Sequence, residues 1–265
     1  DKILAVGGAV AVAFCSYNMQ IIQVGHNTKM MAIAWLPWVL AAVIFTYRSA
    51  LGTYRKPEDN SEKCWKSWLP QAVLGAALFG MALNFQIKAN HIQISYYLAI
   101  IIFCYVIGLF IWLISDKERR RGIGKFFAAS FLLLFLGIVG IGANANKLIP
   151  MYRYSHQTMR GGSELTVEGN ADKSKCLDIE YATSWSYGWQ ELPNLMIPNF
   201  NGGSSAGAVN PSKSETVKLL KRYGQTNVRE VAKTLPLYWG PQPFTAGPMY
   251  VGAITVFLFL LGLFL

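Results

Sequence analysis

Two short polar turns between apolar runs carry the side chains best suited to chemistry. His26, Asn27, Thr28 and Lys29 follow one run; Lys88, Asn90 and His91 follow another, with Gln86 and Gln93 beside them. Polar groups at the ends of membrane helices are tolerated best facing protein or a wet cavity, so the two turns are expected to line one cavity. Lys29 and Lys88 would there compensate the charge of a phosphate or diphosphate near the low-dielectric core, and Arg153 and Arg160 would add planar forks. The plainer reading has Asn27 bending the chain and the cations meeting headgroups. His26, His91 and His156 lack paired ligand spacing, so they read as hydrogen-bonding histidines and no metal is expected.

A second set lies in the polar segment 147–247. Glu191 sits among Trp185, Tyr187, Trp189 and Leu192, where burial would raise its pKa toward that of a general base. The competing reading is a loop carboxylate paired with an arginine. Asn199 and the run Gly202, Gly203, Ser204 and Ser205 offer backbone NH groups and hydroxyls to sugar or phosphate oxygens, although such runs also serve as flexible loops. Tyr238-Trp239-Gly240-Pro241-Gln242-Pro243-Phe244 reads as a shaped loop in which Trp239 is either a platform for the apolar face of a sugar or an interfacial anchor.

These residues must be placed by a membrane scaffold. The chain has 265 residues, 53% hydrophobic and 14% charged, with mean hydropathy +0.30, which excludes an ordinary soluble domain. A span needs roughly 20 mostly apolar residues. Six stretches qualify: 3–23, 30–47, 68–86, 92–114, 126–145 and 248–265, the last read as cut short. The chain thus divides into five transmembrane helices over 1–146, an extracytoplasmic loop domain over 147–247, and a sixth helix over 248–265, an all-α polytopic class. Two loops concentrate Arg48, Arg55, Lys56, Lys63 and Lys66, and Lys117, Arg119, Arg120, Arg121 and Lys125. The positive-inside rule makes both cytoplasmic and sends the polar turns and the long segment outward. It also accounts for much of the +10 charge without nucleic acid. Cys15, Cys64, Cys104 and Cys176 form no evident disulfide or metal pattern. Within the long segment, helices are expected at 184–192, ended by Pro193, at 215–223 and at 228–235.

The motifs Gly25-His26-Asn27-Thr28-Lys29-Met30, Ala89-Asn90-His91-Ile92-Gln93-Ile94, Ile197-Pro198-Asn199 with Gly202-Gly203-Ser204-Ser205, and Tyr238 to Phe244 together resemble the bacterial YfhO family of membrane proteins, over nearly the whole chain. That family is similar to the GT-C superfamily of integral-membrane glycosyltransferases. The resemblance implies an enzyme of the bacterial inner membrane. It would move a sugar from a polyprenyl-phosphate donor to an envelope glycan or lipid acceptor on the outer side. Such proteins usually carry an acidic catalytic residue in a first outer loop; none precedes His26 here, so the main base is expected in a preceding part of a longer protein, with Glu191 the candidate in this chain. The rivals are a transporter of lipid-linked sugars and a structural module of an envelope assembly. Beyond the donor lipid, the cofactor is left open.

Overall fold

The computed structural model describes residues 2–52, 65–155, 179–245 and 247–264. Arg160, His156 and the basic residues Arg55, Lys56 and Lys63 lie outside the described residues. The chain divides into two compact units: a helix bundle over Asn27–Gly161, and a loop unit that joins Asp1–His26 to Gly162–Leu265. The described residues form helices, turns and two isolated β-bridges, without an extended strand. Five stretches are long and apolar enough to cross a membrane: Lys2–Gln23, Asn27–Leu51, Trp68–Lys88, Ile92–Ile114 and Arg119–Gly142.

Two of the six expected spans change. The first is two helices, α1 (Lys2–Ala13) and α2 (Ser16–Gln23). The break is held by polar groups inside the apolar run: the Asn18 amide donates to the carbonyls of Val12 (2.8 Å) and Ala13 (3.3 Å) at the end of α1. The last expected span, 248–265, becomes the twelve-residue α11 (Ala253–Phe264). Its first residues are extended instead, because their backbone is bonded to α2 and to the loops described below.

The bundle contains α3 (Asn27–Leu51), α4 (Trp65–Lys88), α5 (Ile92–Ile114), a 3-10 turn (Arg119–Gly122), α6 (Ile123–Gly142) and α7 (Ala145–Ser155). Buried Ala72, Ala76, Phe79, Ala82 and Gln86 follow Trp68 along one stripe of α4, and Phe126, Ala129, Leu133, Gly137 and Gly140 form the facing stripe of α6. Glycine sets the closest approach: a Cβ on Gly80 would lie 2.7 Å from the Leu136 carbonyl, and one on Gly140 would collide with the Gly80 carbonyl. Small residues are the usual means of bringing membrane helices together, since lipid supplies no hydrophobic drive between them. Tyr47 completes the core, stacked on Phe126 and bonded through its hydroxyl to Ser130 at 2.9 Å.

The loop unit continues with α8 (Ile179–Thr183), a 3-10 helix (Trp189–Leu195), α9 (Glu215–Arg222) and α10 (Val228–Val231). The helix expected at 184–192 is therefore displaced. Gly188 is extended as its N-cap, and Pro193 lies inside the 3-10 helix instead of ending it. The helix expected at 228–235 stops at Val231, and Leu235 enters a bridge with Gly207. Val217, Val228 and Ala232 make a small core of their own between α9 and α10.

Candidate functional site

The bundle brings one set of candidates to a single end. Ala32 of α3 packs with Ala89 and Ile94 across the α4–α5 turn, so Lys29, one turn before Ala32, and Lys88, Asn90 and His91 share that end. Asn90 turns the chain with a φ of 59°, a left-handed conformation that asparagine accepts more readily than most residues. The end of α6 joins it, where the Asn144 amide donates to the Asn84 side chain (2.8 Å) and carbonyl (3.1 Å). Gln86 lies one turn inside Ala89 and is 0% exposed, yet neither its amide nitrogen nor its amide oxygen has a protein hydrogen-bond partner. The Ser95 hydroxyl, one turn into α5, is buried in the same condition. Buried polar groups without a partner carry a desolvation cost of about 1–3 kcal/mol each, which a water or a polar ligand would relieve. Arg153 is exposed on α7.

The loop unit holds the second set, and here the carboxylate is bonded through both of its oxygens. Glu191 is 0% exposed. One carboxylate oxygen accepts from the Gly188 amide at 3.0 Å, and the other accepts from the Tyr238 hydroxyl and from the Gln242 side-chain amide at 3.1 Å. The Gln242 backbone NH then donates to the Tyr238 oxygen at 3.2 Å. Both oxygens are thus engaged by the fold, through neutral donors and not through an arginine. Burial, and then the hydrogen bond to the Glu191 carboxylate, push the Tyr238 phenol up to about 12, because ionising it would set a second negative charge against the first. Tyr187 is also raised, mainly by burial; its hydroxyl accepts from the Met249 backbone NH at 2.8 Å.

Two asparagines outside the predicted set complete the frame. Asn194 donates to the Glu191 carbonyl (2.9 Å) and to the Asn201 side chain (2.7 Å), and accepts from the Asn201 backbone NH (3.0 Å). The Asn201 carbonyl accepts from the Trp239 NH at 3.1 Å. Two asparagines inside an apolar stretch, flanking Ile197-Pro198, were the only sequence signal for this pair. The frame fixes the Trp239 backbone while its ring stays 68% exposed, lying where a side chain on Gly202 would be.

The Gly202–Ser205 run is corrected. Three of its four NH groups are engaged within the protein: Gly202 to the Asn199 carbonyl (2.9 Å), Gly203 to the Leu237 carbonyl (3.0 Å) and Ser205 to the Thr245 carbonyl (2.8 Å). The Ser204 and Ser205 hydroxyls also bond Thr245. The run zips two loops together instead of cradling an anion. Asn199, with a φ of 56°, starts its turn and remains exposed.

His26 and Asn27, neighbours in sequence, fall in different units, and both are exposed. The loop unit ties α2 to its later residues: Ser16 donates to the Tyr250 carbonyl and accepts from its NH, both at 2.8 Å, and Gln20 donates to the Pro248 carbonyl at 3.0 Å. Among the described residues, no group of three or more His, Cys, Asp or Glu is placed to hold a metal ion. Comparison with protein-family models, with curated proteins and with solved structures finds no match to this chain.

Proposed function

We propose that this chain is part of a bacterial inner-membrane glycosyltransferase that moves a sugar from a polyprenyl-phosphate donor to an acceptor on the outer face. The observation that carries the reading is Gln86, wholly buried with both amide atoms unmet, at the bundle end that also gathers Lys29, Lys88, Asn90 and His91. A polar, anionic guest fits that end, because it meets the amide and brings charge to the two lysines. The basic 3-10 turn Arg119–Gly122 lies at the opposite end of the bundle, so the positive-inside rule turns the Gln86 end outward. The four motifs that resemble a GT-C-like family supply the sugar and the lipid.

In this reading Lys29 and Lys88 hold the donor phosphate, joined by Arg153 and Arg160, and stabilise the charge that grows on it as the bond to the sugar breaks. Asn27, Asn90 and His91 order the pocket around it. The loop unit, taken by itself, offers an exposed aromatic ring at Trp239 and polar groups at His26, Asn199 and Gln242 suited to an acceptor sugar. Glu191 is a positioning residue: it holds Tyr238 and Gln242 in place and does not accept the acceptor proton.

The test is binding of a polyprenyl-phosphate sugar to the purified protein, followed by an assay of sugar transfer. Lys29→Ala and Lys88→Ala are each expected to weaken binding roughly ten- to hundredfold, the scale of a charge-assisted contact at about 1.5–3 kcal/mol. A folded parent protein that binds no such lipid would sink the proposal. Binding without transfer would move the assignment to a carrier of lipid-linked sugars.

A further inference from the structure

The opposite end of the bundle holds two cavities that the proposed function does not use. One, of about 210 Å³, is a groove between α3 and α5, walled by Tyr47, Arg48 and Leu51 on one side and by Tyr105, Leu109 and Trp112 on the other. The α5 residues are spaced four and three apart and so share one helix face. The other cavity, of about 240 Å³, is lined by Arg119, Arg121 and Lys125 together with Glu118. Leu51 and Trp112 border both, so a mainly apolar and aromatic groove, with Arg48 in its wall, adjoins a cationic mouth.

One guanidinium of the mouth is anchored to α5, while the Arg121 and Glu118 side chains are exposed, at 79% and 76%. Arg119 lies over the Trp112 ring at 4.5 Å and donates to the Trp112 carbonyl (3.3 Å) and the Ser115 hydroxyl (3.4 Å). Arg120 donates to the Ile114 carbonyl at 2.8 Å. These bonds cap the last turn of α5 and hold the guanidinium in place. Glu118 offsets one cation, Arg121, at 3.2 Å. Lys125 is half-buried at the start of α6. Three cations against one carboxylate leave the mouth positive.

We propose that this groove binds an anionic phospholipid, with an acyl chain between α3 and α5 and the headgroup phosphate among Arg119, Arg121 and Lys125. The groove walls belong to two helices long and apolar enough to span a bilayer, which would bring an acyl chain within reach of the groove. A guest that satisfies both cavities needs a tail and a negative head, which a neutral lipid and a free anion each lack. Near a membrane surface each lysine or arginine strengthens attraction to anionic lipid roughly fivefold.

The experiment is native mass spectrometry of the whole purified chain in a neutral detergent, titrated with phosphatidylglycerol or with phosphatidylcholine of the same acyl chains. One phosphatidylglycerol is expected to be retained, in preference to phosphatidylcholine. Lys125→Gln is expected to weaken that retention about fivefold. Lys117→Gln removes the same charge from the turn between α5 and α6, outside the cavities, and should change it less than about twofold. Leu109→Trp, which fills the groove, should abolish retention, and inorganic phosphate should not compete. Equal binding of the two lipids would overturn the proposal. So would equal losses from Lys117→Gln and Lys125→Gln in variants that melt like the parent, or displacement by inorganic phosphate alone.

Discussion

Between α4 and α6 the closest contacts are made where side chains are missing, at Gly80 and Gly140. Between the 3-10 helix and the Tyr238–Phe244 loop they are made by polar side chains that reach backbone and one another. The bundle can lean on the bilayer for burial, so its specificity needs only shape. The loop unit has few buried apolar residues, and its described part fixes its geometry with hydrogen bonds that are directional and expensive to leave unmade. A shape-fitted interface should therefore fail when volume is added, and a bonded one when a single acceptor is removed.

The largest effect is expected in the bundle. Gly140→Leu adds a side chain where even a Cβ meets the Gly80 carbonyl, and overpacking of this kind costs about 3 kcal/mol or more when backbone cannot move aside. The melting temperature in detergent should fall sharply. Gly124→Leu, on the same helix with open space around it, should melt close to the parent. If both variants melt alike, α4 and α6 are not held by shape.

In the loop unit the counterpart is Glu191→Ala. It leaves the Gly188 amide, the Tyr238 hydroxyl and the Gln242 side chain without their common acceptor, at a cost of about 2–3 kcal/mol. Hydrogen exchange is the direct readout, since it resolves local opening. The Gly188 and Trp239 amides should lose protection while amides in α4 and α6 keep theirs. Uniform protection throughout would show that the carboxylate is dispensable to the loop frame.

The same contrast decides what could be read from the sequence. The spans over α3 and α5 were legible because an apolar run needs no distant partner to become a membrane helix. The break between α1 and α2 was not, because it depends on where the Asn18 amide and the Ser16 hydroxyl find their partners. Hydropathy registers Asn18 as one polar residue in an apolar window. Glu191, Tyr238 and Gln242 each stood out by type, yet they meet across 47 and 51 residues of chain, a separation that carries no periodic signal. The Gly202–Ser205 run looked open because glycine and serine are common in flexible loops. Its partner Thr245 lies about forty residues on, so sequence spacing gave no sign that the amides were taken. The polar ends of α4 and α5 were legible as a cluster, since short turns keep their members together.

The smallest expected effect sharpens the comparison most, because it tests the charge of Glu191 apart from its hydrogen-bonding capacity. The Tyr238 phenol ionises near 12 in the folded protein against 10.0 for an ordinary tyrosine. Its folded value is the higher, so the stability it contributes is fully present below pH 10 and is lost as pH rises from 10 toward 12. Tyr238→Phe should flatten the fall in melting temperature across that window. The tyrosinate absorbance of the parent minus that of the variant should titrate near 12. Glu191→Gln keeps a polar side chain of the same shape and removes the charge. Burial, the larger cause, remains, so the Tyr238 transition should shift down yet stay above 10. A transition at 10 in the parent would mean that the phenol is neither buried nor held against a carboxylate, and the frame beneath Trp239 would lose its central bond.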